Sequence, residues 1–399
     1  MTLLISILVG LYALLILVLT SGYRRLPGFE PDHSPAQHSF SIIIVFRNEA
    51  HNLDHLIGNL NKLDYPADKF EILLVDDESE DGSLELAQRL KAEHPDLDIS
   101  IIESHSELEN RSRLDNRREM NNISAPGSPK KEAIEKGVRK AKYEWILMTD
   151  ADCSLKKEHL RAFDQFIGDH DPILVAGPVI CTADNSFLKR FQLLDFISLQ
   201  GSTMGSFGGI EISSWIRPFM CNGANLCYRK DAFSAVNGYE GSRHIASGDD
   251  VFLLEKMLSN DASRVRFIKS RAATVETLPQ DSWGQLVEQR KRWAAKTSSY
   301  SDGFGKVVGL VVLLANLSLI TGFGFALGGL MSWNVFGLLF LIKINVDFVL
   351  LYNTALFFEK QEALRSYLLS GLLYPFFTVF VALLAIRGNY QWKGRSFEK

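Results

Sequence analysis

Two kinds of apolar pattern divide this chain: long uninterrupted runs at both ends, and short β-branched runs alternating with polar helical segments between them. Met1 to Thr20 is apolar apart from a few hydroxyls and Tyr12, and at about 1.5 Å per residue such a helix just reaches across a hydrocarbon core. Arg24 and Arg25 come after this run. A cleaved signal peptide carries its basic residues before the apolar stretch, so the order predicts an uncleaved anchor over residues 1–22 that holds the following domain in the cytoplasm.

Three more spans are expected in a C-terminal region, 305–386: roughly Gly305 to Leu330, Trp333 to Phe358 and Tyr367 to Ile386. Only Met331 and Ser332 separate the first two, which implies a tight hairpin. Lys343 and Asp347 stand four apart and so share one helix face, where they pair and turn toward protein instead of lipid. A structural ion pair and a place on a substrate path both remain open for them. The loop Glu359 to Arg365 is charged, and the tail 387–399 is basic, with Arg387, Lys393, Arg395 and Lys399. One span cannot run between two cytoplasmic segments. Either the last apolar stretch re-enters or lies along the interface, or these boundaries merge or miss a helix.

Between the ends, residues 39 to 275 read as alternating strands and helices, the signature of an α/β domain with a mostly parallel sheet. Ser41 to Phe46 (SIIIVF) is a β-branched run typical of a buried parallel strand. A helix is expected over Leu53 to Leu63. The strand Glu71 to Val75 terminates at Asp76-Asp77, a helix covers Ser83 to His94, and Asp98 to Glu103 is a third strand. A fourth, Glu144 to Met148, runs into Thr149-Asp150-Ala151-Asp152. Both acidic sites therefore fall at carboxyl ends of strands, where open α/β sheets bind ligands. Phe187 to Ile216 places Phe191, Leu194, Phe196, Leu199 and Trp215 at helical spacing, which reads first as core packing.

Composition narrows the class. The 399 residues are 46% apolar and 23% charged with a formal charge of -4, enough for one large soluble domain plus several membrane spans. The charge is slightly acidic and the basic residues do not gather on one predicted element, which argues against nucleic acid as a partner. Cys153, Cys181, Cys221 and Cys227 form no C-x-x-C pair, so neither a zinc site nor a disulfide framework is indicated, and reduced thiols in a cytosolic domain are expected.

The chemistry resides in four polar sites. Asp-rich turns are common because Asp caps helices and tolerates turn geometry. Alternate residues leaving a strand, as in Asp150-Ala151-Asp152, aim two carboxylates at one point, which suits a hard Mg2+ or Mn2+ ion that also carries phosphate oxygens. Asp249-Asp250 follows Gly248, and Gln289-Arg290-Lys291-Arg292-Trp293 stands just ahead of the C-terminal apolar run. By themselves those two sites also suit a helix N-cap and an interfacial helix with a Trp at the membrane boundary.

The order Val75-Asp76-Asp77-x-Ser79-x-Asp81-Gly82-Ser83, Thr149-Asp150-Ala151-Asp152, Gly248-Asp249-Asp250, Gln289-x-x-Arg292-Trp293 resembles the family-two glycosyltransferases. These are inverting GT-A enzymes, Rossmann-like in fold, that include cellulose, chitin and hyaluronan synthases and ceramide glucosyltransferase. The resemblance covers residues 40 to 300 and implies a catalytic domain over 39–300. It implies that Asn48, Glu49, Asp76 and Asp77 contact the base and ribose, and that Lys130, heading Lys130-x-x-Ala133-Ile134-x-x-Gly137, lies near the nucleotide. It also implies that Asp150 and Asp152 bracket the metal and donor diphosphate, with Asp150 touching the donor. Asp250 matches the general base, beside Asp249 where a Glu is more common. Gln289, Arg292 and Trp293 would hold pyrophosphate and floor the acceptor site. The turn Cys221 to Asn225 is similar to the family's small-residue turn near the acceptor. Departures are Val45 for the usual proline, Arg47 before Asn48, Pro129 before the lysine, and a long polar stretch, Glu103 to Pro129, with Arg111, Arg113, Arg117 and Arg118, expected as a solvated loop.

The physical logic agrees with the analogy. Breaking a sugar–diphosphate bond leaves charge on the phosphate, so a divalent ion and an arginine there stabilise the transition state. A carboxylate on the other side of the sugar takes the acceptor's proton, and one adjacent like charge raises such a group's pKa. The expectation is a membrane-anchored, metal-dependent inverting glycosyltransferase using a nucleotide sugar, foremost a UDP-sugar, on a lipid or lipid-linked acceptor at the cytoplasmic face of the cell (inner) membrane. Three C-terminal spans are few to enclose a polymer channel, which makes a processive polysaccharide synthase the second reading. A non-catalytic scaffold leaves the complete acidic set unexplained, and a nucleotidyltransferase leaves Gln289-x-x-Arg292-Trp293 unexplained. The oligomeric state and the identity of the sugar are not encoded in any local motif.

Overall fold

The computed structural model describes residues 1–104, 128–210, 212–245, 247–297, 302–386, 390–392 and 395–397. The arginines at 111, 113, 117 and 118, expected on a loop, lie outside the described residues, as do Arg387, Lys393 and Lys399 of the tail. In chain order the first half comprises α1 (Thr2–Arg25), β1 (Phe40–Phe46), α2 (Ala50–Leu60), β2 (Phe70–Asp76), α3 (Ser83–Glu93), β3 (Ile99–Glu103), α4 (Pro129–Lys140), β4 (Trp145–Asp150), β5 (Cys153–Leu155), α5 (His159–His170) and β6 (Leu174–Ala176). The second half comprises β7 (Val179–Cys181), α6 (Phe187–Gly209), β8 (Leu226–Arg229), α7 (Lys230–Ala235), α8 (Asp249–Asp261), β9 (Val265–Phe267), β10 (Val275–Thr277), α9 (Trp283–Thr297), α10 (Gly303–Leu327), α11 (Trp333–Phe358), α12 (Tyr367–Ile386), β11 (Tyr390–Trp392) and β12 (Arg395–Phe397).

The chain divides into two compact units. One, Phe29–Val179 with Cys221–Thr277, is a mixed α/β unit built on a seven-stranded sheet of order β3-β2-β1-β4-β8-β6-β9. β1 and β2 are apolar almost throughout and nearly every residue is buried, as parallel strands covered on both faces require. β3, β2, β1 and β4 run parallel, with Phe46 opposite Asp76 and Val45 opposite Asp150. That register brings the acidic ends of β2 and β4 to one edge on either side of β1.

Several expectations needed correction. β4 continues through Asp150 instead of stopping at Met148, because Thr149 and Asp150 still pair with Ile44 and Val45. α2 begins and ends three residues early, since Asn48 adopts a positive φ of 54° and Glu49 takes the N-cap position. Leu53, Leu56, Ile57 and Leu60 form its buried stripe. The sheet is mostly parallel, as expected, with β8 the strand that runs antiparallel to both of its neighbours, β4 and β6.

The second unit, Met1–Gly28 with Ile180–Met220 and Leu278–Lys399, is helical. Four of its helices, Thr2–Arg25, Gly303–Leu327, Trp333–Phe358 and Gln361–Ile386, are long and apolar enough to cross a membrane. α6 packs on α1 through glycines. A Cβ built on Gly205 would come within 2.3 Å of the Leu19 carbonyl oxygen, and one on Gly208 within 2.1 Å of that of Gly22. Small residues at such seams let helix backbones touch. Phe191, Leu194 and Phe196 of α6 are buried as expected, but Trp215, expected in the core, is 61% exposed and meets Phe304 edge-on.

Lys343 and Asp347 do pair, at 2.6 Å, and the Tyr12 hydroxyl donates to the other Asp347 oxygen at 2.6 Å. With Lys343 only 2% exposed, both charges are satisfied within protein, which makes them a structural pin between α1 and α11. α12 packs along α9, and so does β11 beyond it.

Candidate active site

The turn after β2 is laced to the turn after β1. Arg47, 8% exposed, donates through Nη1 to the carbonyls of Asp77 (2.8 Å) and Glu78 (2.6 Å) and through Nη2 to Glu80 Oε1 (3.1 Å). Asn48 Oδ1 accepts from the Glu80 amide at 2.8 Å, and the Asn48 amide donates to Ser79 Oγ at 3.1 Å. Glu49 accepts from Asn52 Nδ2 at 2.6 Å while its amide donates to Ser83 Oγ at 2.8 Å. Asp76 accepts from the Ser79 amide at 3.2 Å, and the Asp77 amide donates back to the Phe46 carbonyl at 2.9 Å. Asn48, Glu49, Asp76 and Asp77 are thus brought together on two adjoining turns, as their motif order led us to expect. Arg47 was singled out in the sequence only as a departure, yet it holds three residues of the second turn, Asp77, Glu78 and Glu80.

Lys130 stands in the first turn of α4, behind Pro129 at the position where proline's fixed φ suits helix entry. Its Nζ lies 3.0 Å from Asp150 Oδ1 and 3.7 Å from Asp249 Oδ2. Burial works against the charged ammonium, but Asp150, Asp249 and Asp250 more than offset it and hold the Lys130 pKa well above the usual lysine value. One cation therefore links a strand end to a helix start.

That helix is α8. Gly248 occupies the N-cap at a φ of 87°, open to glycine without strain, so neither aspartate caps the helix by itself. Both sit in its first turn, where the helix dipole favours carboxylates, and Asp250 Oδ1 takes the adjacent Val251 amide at 2.8 Å. The Cys221–Asn225 turn closes on them: a Cβ on Gly223 would fall 3.2 Å from Asp249 Oδ2 and 3.6 Å from Asp250 Cβ. A bare backbone at Gly223 leaves room beside the acidic pair.

Asp152 lies beyond the buried Ala151, with Thr277 Oγ1 of β10 3.4 Å from its Oδ2 and the Cys153 thiol 3.5 Å from its Oδ1. Burial, then the Asp152 and Asp150 carboxylates, push the Cys153 thiol up, so it stays protonated. All four cysteines are free and buried. No group of three His, Cys, Asp or Glu side chains that could hold a metal occurs among the described residues. Mg2+ bound with nucleotide phosphates needs only one or two carboxylates. The Asp150 side chain, 38% exposed at the strand end, and Asp152 two residues on supply two hard oxygen donors, a set that fits such an ion.

Gln289, Arg292 and Trp293 recur at helical spacing on one face of α9, in the helical unit. Between them stands Arg290, which the motif leaves unassigned. It is 7% exposed and its Nε lies 2.6 Å from Asp195 Oδ2 on α6. A lone acid inside the mostly apolar Phe191-to-Leu199 run is the sequence signal for that partner.

The geometry can be set beside known proteins. Over 131 residues the chain is 28% identical to the poly(ribitol-phosphate) beta-N-acetylglucosaminyltransferase TarS of Staphylococcus aureus, covering 33% of this chain and 19% of that protein. It is 24% identical over 211 residues to the glycosyltransferase AglE of Haloferax volcanii, covering 53% of this chain and 58% of that one. The chain spans less than two thirds of either relative's length. Among solved structures, the mannosyltransferase PcManGT from Pyrobaculum calidifontis, in complex with GDP-Man and Mn2+, aligns over 93% of this chain and 99% of its own with a TM-score of 0.54 and 15% identity, a likeness of fold. A family model described as glycosyl transferase family 21 matches residues 3–398. With that match running through both units, the chain belongs to glycosyl transferase family 21 and is a glycosyltransferase.

Proposed function

We propose that this chain is a membrane-anchored inverting enzyme of GT-A type, similar to the family-two transferases, that moves a sugar from a nucleotide donor to a lipid or lipid-linked acceptor at the cytoplasmic face. Residues 1–22 serve as the anchor, 39–300 carry the chemistry and 305–386 return to the membrane. The observation that carries the reading is Lys130 between Asp150 and Asp249. It ties the strand end expected to hold a donor diphosphate to the carboxylate pair expected to activate an acceptor.

In this mechanism Asn48, Glu49, Asp76 and Asp77 line the base and ribose, the turn being held by Arg47. Asp150 and Asp152 hold a divalent cation, which when bound supplies Lewis-acid charge against the leaving phosphate. Lys130 adds a fixed positive charge beside Asp150. Asp250 removes the proton from the acceptor hydroxyl as its oxygen attacks the anomeric carbon, and the nucleoside diphosphate departs from the opposite side, inverting that centre. Asp249 stands beside Asp250 in the same first helical turn and faces Lys130. Gln289, Arg292 and Trp293 take the pyrophosphate and acceptor roles that the resemblance implies.

Four helices of membrane length support anchorage. Because β11 packs on α9, residues 390–392 are read as lying on the side of the membrane that bears the motif helix. The final apolar helix is accordingly read as lying along the interface or re-entering, the first of the two resolutions left by the charge pattern.

PcManGT was solved with GDP-Man and TarS transfers N-acetylglucosamine by name, so donors of both nucleotide classes belong in the test. Membranes containing the protein are incubated with labelled UDP- and GDP-sugars and the products separated. A single-sugar lipid with release of nucleoside diphosphate is the expected result. Long polymer would replace the acceptor reading with a polysaccharide synthase, and pyrophosphate release would remove the transferase mechanism.

A further inference from the structure

Arg290 and Asp195 form a buried ion pair, 7% and 5% exposed, that none of the roles above uses. In a low-dielectric setting each charge needs the other, and removing one strands its partner. The pair is also asymmetric. Asp195 gives Oδ2 to Arg290 Nε at 2.6 Å and Oδ1 to the Tyr374 hydroxyl at 3.2 Å, so one carboxylate on α6 joins α9 to α12. Arg290 in turn reaches two residues of the motif. Its Nη1 donates to Gln289 Oε1, and its guanidinium lies over the Trp293 ring, 4.1 Å from the centroid. Phe196 completes the enclosure, 5.3 Å from the guanidinium and edge-on to Trp293 at 5.9 Å. Nη2 is buried without a hydrogen-bond partner among the described residues, so the plane of the guanidinium is set by Asp195 and Gln289.

We propose that Arg290, anchored by Asp195, is a positioning residue for sugar transfer: it orients the Gln289 amide and the Trp293 ring while touching neither donor nor acceptor. The inference rests on the proposed roles of Gln289 and Trp293. An arginine suits the task because its planar fork binds a carboxylate and an amide oxygen while its face stacks on an indole, which a lysine ammonium cannot reproduce. Misplacing a reacting or binding group by about 1 Å costs on the order of 100-fold in rate, so the effect falls on turnover, where the leaving pyrophosphate gains charge, more than on donor affinity.

The test uses the full chain in membranes, with wild type, Arg290→Lys, Asp195→Asn, Asp195→Glu, Trp293→Phe and the Arg290→Lys/Trp293→Phe double variant. Arg290→Lys and Asp195→Asn are each expected to lower kcat about 100-fold with little change in the donor KM, and Asp195→Glu to recover part of the loss. The double variant should be no worse than Arg290→Lys alone, because a tryptophan already released from its stack has nothing further to lose. Thermal midpoints and the folded fraction are measured alongside. If the Arg290 and Trp293 losses multiply, or if the surviving folded fraction of Arg290→Lys turns over at the wild-type rate, the positioning role is wrong. A wild-type protein that transfers no sugar from UDP- or GDP-donors would instead remove the donor reading beneath it.

Discussion

Lys130 and Asp150 form an ion pair at 3.0 Å in which the lysine comes from the first turn of a helix and the aspartate from the last residue of a strand. The same ammonium reaches Asp249 at 3.7 Å, so three segments distant in sequence meet at one charge. Replacing Lys130 by Met removes that charge and leaves Asp150 and Asp249 to repel each other. Loss of one preorganised electrostatic group of this kind costs about 100- to 1,000-fold in kcat. Steady-state transfer rates of Lys130→Met at saturating donor measure it, and an unchanged rate contradicts the role.

Metal dependence is the second expectation. Chelation with EDTA should suppress transfer and added Mn2+ or Mg2+ should restore it. Asp150→Ala and Asp152→Ala should both raise the metal concentration needed for half-maximal UDP binding, read by calorimetry in the presence of each ion. Binding that ignores both chelator and substitution would remove the cation from the site.

Gly223 makes a steric prediction beside the acidic pair. A side chain there would begin 3.2 Å from Asp249 Oδ2, closer than ordinary contact, and its branches would fill space next to Asp250. Gly223→Val is expected to depress transfer about tenfold or more, since the added branches press on the Asp249-Asp250 pair. Equal activity in Gly223→Val would show that the acceptor does not approach there.

His159, at the start of α5, is fully buried and neither ring nitrogen has a hydrogen-bond partner among the described residues. Burial pushes its pKa down from 6.5 to about 3. Between those values the unfolded chain carries the extra proton and the folded one does not, so stability rises with pH across this window and falls as pH drops below the unfolded value. The loss at pH 5 amounts to about 2 kcal/mol, from about 1.4 kcal/mol per pKa unit. Thermal midpoints of wild type and His159→Leu at pH 7 and pH 5 check this: the variant should lose less on acidification, and equal losses would refute the assignment.

The seam between α1 and α6 offers a stability test remote from the chemistry. Gly205→Leu would drive a Cβ to 2.3 Å from the Leu19 carbonyl oxygen, which belongs to backbone and cannot rotate away. Overpacking of this type costs about 1–3 kcal/mol or more. Gly10→Leu is the control, because its Cβ meets nothing within 4 Å. A lower thermal midpoint for the first and an unchanged one for the second are expected in detergent.

Much of the site was legible in the order of residues. Strands rich in Ile, Val and Leu announce themselves because a parallel strand covered on both faces is apolar throughout, and Asp76 and Asp150 could be placed at strand ends from that signal alone. The apolar helices were equally visible, since membrane length and composition are local properties. The α2 boundary was missed by three residues because the positive φ at Asn48 leaves no apolar signature, and the antiparallel direction of β8 was not legible because strand direction depends on a partner.

What the sequence by itself determined, then, is the first four strands, which helices are long and apolar, and which carboxylates stand at strand ends, for each follows from the local spacing of residues. Tertiary structure decided the pairings: Lys130 with both Asp150 and Asp249, Arg47 with the turn after β2, Gly223 against the acidic pair, Arg290 with Asp195, and Tyr12 with Asp347. Most of these join residues a hundred or more positions apart in the chain or on separate elements. A buried charge is stable only beside its partner, and which partner that is depends on how the sheet and the helices are stacked, a non-local outcome that no motif encodes.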